Sequence, residues 1–134
     1  MSRQTFVNMP VRDLRKSIEF FSALGFEFNP DFTDENATCM VISDEAFVML
    51  LVEEFFRSFS KREIADTAAT SEVIMAISAG SRSEVDEFVD TALAAGGRAA
   101  GEVMDEGFMY SRSFRDLDGH QWEVVHMDMS GSGQ

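Results

Sequence analysis

TFVNMPVRDLRKSIEFFSALGFEF, residues 5–28, is the stretch on which the fold turns. Its first part, TFVNMPV over Thr5–Val11, reads as a strand that ends near Pro10, a residue a central ladder position disfavours. Asp13 then stands where a helix N-cap is needed. Leu14, Ile18, Phe21 and Leu24 recur at helical spacing until Gly25 supplies a left-handed stop. Beyond it, residues 26–32 (FEFNPDF) alternate like a strand. Residues 37–43 (ATCMVIS) form a compact strand and residues 46–53 (AFVMLLVE) an apolar one, with DEN and SDE as turns between them. The order is strand, helix, three strands.

The same order returns further along. Residues 72–78 (EVIMAIS) read as a buried strand, and Ser81 followed three residues later by Glu84 is a capping-box signature. Val85, Phe88, Val89 and Ala92 make the apolar stripe of the helix that follows, which Gly96 and Gly97 end. RAAGEVM, FMYSRSF and QWEVVHM then read as three more strands. The chain therefore predicts an α+β fold of two βαβββ modules, about residues 1–53 and 72–127, within one domain spanning 1–134. Residues 54–71, with Phe55, Phe56, Phe59 and Ile64 among charges, make a partly helical connector. The tail, residues 128–134, has no periodicity and is expected to fray. Each sheet, expected to have four strands, carries a helix on one face. Curved mixed sheets of this kind can line a cleft with the other face, so the parity of a strand residue becomes a functional label.

Composition narrows the function. The 134 residues carry 24 Asp and Glu against 11 Lys and Arg, a formal charge of −13 spread over both halves, which speaks against nucleic acid as a partner. No apolar run is long enough to span a bilayer, and MSRQTFVNMP lacks the blocks of a signal peptide, so a soluble cytoplasmic protein without membrane attachment is expected. Cys39 is the one cysteine; it rules out an internal disulfide and reads as a buried structural thiol in an apolar run. His120 and His126 are the two imidazoles. His120, in the DLDGH turn, is expected to be solvated or to make a turn hydrogen bond. His126 shares the parity of Trp122 and Val124 and should face the helix side or solvent. No nucleophile elbow or glycine-rich phosphate loop is present in the sequence.

Three segments, FVNMPVRDLRKSIEFFSALGFEF, the EVIMAIS strand with its helix to AAGG, and SFRDLDGHQWEVVHMD, together resemble the vicinal oxygen chelate superfamily. That superfamily includes glyoxalase I, extradiol dioxygenases, and bleomycin and fosfomycin resistance proteins. The resemblance covers nearly the whole chain and implies paired βαβββ modules and frequent dimers. In the metal-dependent members it also implies a divalent ion held from the first and last strands of each module. Carried over by position, the ligand sites fall at Phe6, Met49, Ile74 and Glu123, with Glu72 as an alternative to Ile74 after a two-residue shift. Phenylalanine cannot ligate and a thioether is a poor partner for magnesium, manganese, iron or zinc. Only Glu123 keeps a carboxylate, so no metal and no other cofactor is expected, and the glyoxalase and ring-cleaving reactions that depend on the ion come into doubt.

What remains is a small-molecule site. The parity of Glu123 and its neighbours groups Phe6, Asn8, Phe47, Met49 and Ile74 as an apolar wall with one amide, with Phe108 and Tyr110 as further candidates. Aromatic rings and methionines around one acid suit a cationic, partly planar ligand. The expected role is metal-independent binding or sequestration of the bleomycin-resistance type, in a homodimer. Two alternatives stay open: a divalent-metal enzyme of lactoylglutathione lyase or extradiol dioxygenase type with an unusual ligand set including Glu72 and Glu123, and a structural module whose cavity is filled by its own side chains.

Overall fold

In a computed structural model, which describes residues 3–128, the chain divides into two compact units, Met1–Ala65 and Asp66–Gln134. The first follows the βαβββ plan, and the second follows it with one short strand more.

The first unit begins with β1 (Thr5–Val11) and α1 (Leu14–Ala23), joined through Asp13, whose carboxylate accepts from the Lys16 N–H at 3.1 Å. That bond satisfies one of the helix's orphan donors, and Gly25 with φ +98° makes the exit that L side chains resist. Then come β2 (Glu27–Asn29), β3 (Ala37–Val41) and β4 (Ala46–Val52). The sheet order is β1-β4-β3-β2, with β1 parallel to β4 and the other pairs antiparallel. Pro10 is tolerated because β1 is an edge strand. Met9, Val11, Met40, Val48 and Leu50 form one fully buried face. Leu14, Ser17, Phe20 and Phe21 are the buried residues of α1, a stripe centred one residue away from the expected one, with Ile18 and Leu24 only half-buried.

The expected strand over residues 26–32 is shorter in the structure. After Asn29 the chain turns into a 3-10 helix, Pro30–Phe32, because the Asn29 side chain accepts from the Asp31 N–H at 2.9 Å and Pro30 has no N–H to give a ladder. The connector is helical only at its start, in α2 (Glu53–Ser60), which has no buried residue and ends at Lys61.

The second unit contains β5 (Ile74–Ser78), α3 (Arg82–Ala94), β6 (Arg98–Ala99), β7 (Met104–Asp105), β8 (Met109–Arg115) and β9 (Gln121–Met127). Ser81 caps α3 by accepting from the Glu84 N–H at 3.1 Å. β5 starts at Ile74, so Glu72 precedes the strand. Its sheet has five strands where four were expected. The run over residues 98–104 breaks at Gly101, φ +70°, into β6 and β7, which both pair with β8, while β9 lies between β8 and the parallel β5. Val85, Val89 and Ala92 of α3 are buried, as are Phe114, Trp122 and Val124 of the sheet. Both sheets are mixed and the architecture is α+β. No helix among the described residues is long and apolar enough to cross a membrane. Residue 128 follows β9, and the rest of the expected tail, residues 129–134, lies outside the described residues.

Candidate ligand-binding site

Strand alternation sorts the candidate residues of each unit onto faces. In the first unit, the register pairs Phe6 with Phe47 and Asn8 with Met49, placing all four on the face opposite the one packed with Met9, Val48 and Leu50. The rings of Phe6 and Phe47 stack with centroids 5.0 Å apart and planes 15° from parallel. Phe6 is 50% exposed. A large stacked aromatic surface left facing outward is costly to hydrate, and it offers a flat apolar platform. Asn8 lies beside it, its amide donating weakly to the Phe6 carbonyl at 3.4 Å. Cys39, on the same face beside Met49, is buried, and that burial pushes its thiol pKa up, as expected for an inert structural thiol.

In the second unit, Glu123 lies on β9 with the parity opposite to Trp122 and Val124, so its carboxylate stands on the face away from α3. Ser111 Oγ donates to its Oε1 at 3.1 Å and Gln121 Nε2 to its Oε2 at 2.8 Å. A carboxylate has about four acceptor positions, so these two bonds fix its orientation and leave room for another donor. Ile74, 57% exposed, is on the same face one strand over, paired with Gln121. Met104 joins that face through its pairing with Ser111.

Tyr110 does not. It pairs with His126 and carries the helix-side parity; its phenol donates to Asp86 of α3 at 2.7 Å, and the Arg82 guanidinium lies 4.8 Å from its ring centre. The hydrogen bond to Asp86 raises the Tyr110 pKa, and the bonds from Tyr110 and Arg112 lower that of Asp86. Arg112 completes the cluster with ion pairs to Asp86 at 3.0 Å and Asp90 at 3.1 Å. Phe108, 45% exposed, precedes β8, and its carbonyl accepts from the Asp128 N–H.

The DLDGH turn, residues 116–120, holds a polar knot that the sequence alone does not expose. Asp116 Oδ1 accepts from the backbone N–H groups of Asp118 at 2.9 Å and His120 at 3.0 Å, while its Oδ2 accepts from the Trp122 indole at 3.0 Å. Burial raises the Asp116 pKa, opposed by His120 and by these hydrogen bonds. His120, expected to be solvated or bonded within the turn, is instead only 2% exposed; its Nδ1 meets Glu72 Oε1 at 3.1 Å. The physical reason lies in the segment before β5: Thr67 lies against Gly119 and Glu72 against His120, and a polar ring buried in the turn needs such a partner. Gly119 has φ +85°, and a Cβ there would press on Thr67, whose hydroxyl donates to the Asp118 carbonyl. An Asp-x-Asp-Gly turn signal was legible; the reach of Asp116 to an indole six residues on was not. His126, on the helix side as its parity predicted, bonds the Ala79 carbonyl through Nδ1 at 3.1 Å.

The donor chemistry does not fit a divalent ion. Of the positions that the resemblance assigns to ligands, Phe6 and Ile74 carry no lone pair, Met49 offers a thioether, and Glu123 alone offers a carboxylate. Glu72, the alternative, is engaged by His120. Among the described residues, no three His, Cys, Asp or Glu side chains are grouped to hold a metal.

Comparison with known proteins places this geometry. Residues 3–43 match a family model described as bleomycin resistance protein-like N-terminal. A hypothetical protein from S. aureus has a TM-score of 0.80 at 28% identity, with 94% of each chain covered. A glyoxalase/bleomycin resistance protein/dioxygenase family enzyme from Burkholderia phytofirmans gives 0.77 at 14% identity, over 94% of this chain and 99% of that one. A structure described as lactoylglutathione lyase from Agrobacterium tumefaciens gives 0.68 at 18%, covering 98% of both. A search among curated proteins found no match.

Proposed function

The chain shares its fold with the glyoxalase/bleomycin resistance/dioxygenase proteins, in keeping with the vicinal oxygen chelate superfamily, and from that premise we propose that it is a metal-independent small-molecule binding or sequestration protein. Two separate observations support the proposal: an exposed stacked aromatic pair, Phe6 and Phe47, on the open face of the first unit's sheet, and an oriented carboxylate, Glu123, on the open face of the second unit's sheet. The aromatic platform suits a planar or apolar group and the carboxylate suits a cationic one. Met49 and Met104 add adaptable apolar surface to these faces. Function in a homodimer belongs to the same proposal.

The test uses a planar aromatic cation, ethidium, and a chelator. Thermal stabilisation that rises with ethidium and is indifferent to EDTA supports the reading. Glu123→Gln should then weaken binding about tenfold, the scale of a charge-assisted bond in a partly desolvated site. Phe6→Ala should weaken it less and without dependence on salt. Saturable binding that appears only with nickel, zinc, manganese or ferrous ion would overturn the proposal in favour of a metal-dependent enzyme.

A further inference from the structure

The open face of the second sheet carries more than Glu123. Arg98 of β6 stands directly opposite Arg115 of β8, and strand alternation puts both on the face that Glu123 shares. Glu123 lies one row further along that face, and Met104, Val125 and Met109 occupy the rows beyond it. Along the strands the face therefore runs from two cations, through one acid, to apolar side chains.

The arginine pair is the anomaly. Like charges directly opposite on neighbouring strands destabilise a sheet, and this chain has only 11 Lys and Arg to place among 24 Asp and Glu. Neither arginine has an ion-pair partner among the described residues. Arg115 gives an N–H to the Gly119 carbonyl at 3.1 Å and keeps the rest of its fork. The acids near by do not neutralise the pair. Asp116 and Asp118 are buried in the turn, and Asp116 has its oxygens on backbone N–H groups and the Trp122 indole. Glu102, on the exposed loop after β6, pairs with neither arginine. Glu123 takes its hydrogen bonds from Ser111 and Gln121. Arg115 and Glu123 are half-buried and Ser111 is buried, so the middle of this face is partly shielded from water.

We propose that this face binds a zwitterion of the α-amino acid type with a large apolar side chain. The inference rests on the Glu123 reading and names its ligand class. The ligand carboxylate goes to Arg98 and Arg115, whose planar forks pair carboxylate oxygens two at a time and whose mutual repulsion an anion removes. The ammonium goes to Glu123, which its two donors hold in orientation. The side chain lies over Met104, Met109 and Val125, where methionine adapts to its shape. An α-amino acid presents carboxylate, ammonium and side chain in that order, and the long arginine and glutamate side chains close the spacing of about 7 Å between rows. A purely cationic ligand would leave both arginines unmatched, and a purely anionic one would meet the charge of Glu123.

Three probes that share one phenyl ring and differ in charge test it: L-phenylalanine, 2-phenylethylamine and 3-phenylpropanoate, each titrated into the full chain and followed by backbone amide shifts. L-Phenylalanine should bind about tenfold tighter than either of the others, with its shifts in β8 and β9. Arg115→Gln should remove its advantage over 2-phenylethylamine without weakening the amine itself. Arg98→Gln, on an edge strand, should reduce that advantage and leave the thermal midpoint of the free protein unchanged or higher, since a like-charge pair is relieved. This second variant decides the matter should Arg115→Gln disturb the hairpin. L-Phenylalanine binding no tighter than 2-phenylethylamine, or keeping its advantage in both arginine variants, overturns the inference and leaves the Glu123 reading to be judged by ethidium. Absence of saturable binding by all three probes overturns it as well.

Discussion

The two units share strand order, helix position and a parallel pairing of first and last strands, yet they are held by different chemistry. Around the first sheet the buried groups are almost all apolar: Met9, Val11, Phe20, Phe21, Met40, Val48 and Leu50, with polar exceptions in Ser17 and Thr38. The second sheet is closed by the Asp116, His120 and Trp122 knot, and its helix side carries the Asp86, Tyr110 and Arg112 cluster. Their outward faces diverge as well. The first presents stacked phenyl rings; the second presents a carboxylate with hydroxyl and amide donors. A topology repeats wherever turns, caps and apolar spacing repeat, while the chemistry of each copy depends on single side chains that the topology leaves free.

The sharpest way to break this contrast is to remove one aspartate from each unit. Asp116→Ala strips the acceptor from two backbone N–H groups and the indole inside the second unit, and should cost about 3 kcal/mol or more. Asp13→Ala removes only the cap of α1 and should cost about 1 kcal/mol. Urea unfolding followed by far-UV circular dichroism measures both, with Trp122, the one tryptophan and fully buried, as a second probe of the second unit. Equal losses would mean that the second unit does not depend on its knot.

Glycines sharpen the same contrast at smaller scale. Gly25 and Gly119 both have positive φ, but a Cβ at Gly25 meets nothing within 4 Å whereas one at Gly119 presses on Thr67. Gly25→Ala should cost about 1 kcal/mol of backbone strain alone. Gly119→Ala adds a steric term and should cost about 2 kcal/mol. A larger loss at Gly25 would contradict the packing described for the Thr67 contact.

The smallest effect concerns pH. Arg82 grips Asp105 at 2.7 Å, and that bond, helped by the Gly107 N–H, lowers the Asp105 pKa from 3.8 to about 2. A carboxyl whose folded pKa is depressed stabilises the fold above its unfolded value and loses that contribution as pH falls through the folded one. The stability difference between wild type and Asp105→Asn should therefore be constant above about pH 5, shrink below about pH 4, and vanish near pH 2. Both groups are exposed, so the difference is small, and high salt should reduce it further. A difference that grew on acidification would exclude the clasp as its source.

How far the sequence carried follows the range of the interactions involved. β1 and the caps at Asp13 and Ser81 were legible to the residue, because each is decided within a few positions of chain. Residues 26–32 read as a full strand because alternation persists through Asn29 and Pro30, which turn the chain instead. Tyr110 had no readable direction until β8 paired with β9 and fixed its parity toward Asp86. Parity also grouped Phe6, Asn8, Phe47 and Met49 on one face, since alternation is a property of each strand by itself. Nothing local marks His120 for burial or Glu72 as its partner 48 residues away.

By itself, then, the sequence determined a doubled βαβββ plan, the glycine and capping points that punctuate it, and a single carboxylate, Glu123, among the positions where the resemblance would put metal ligands. Only the tertiary structure decided which polar groups are sealed inside and which acid is bound by which donors. The reason is physical: caps and turns are satisfied by neighbours in the chain, whereas a buried carboxylate or imidazole takes its partner from whatever folding brings within about 3 Å.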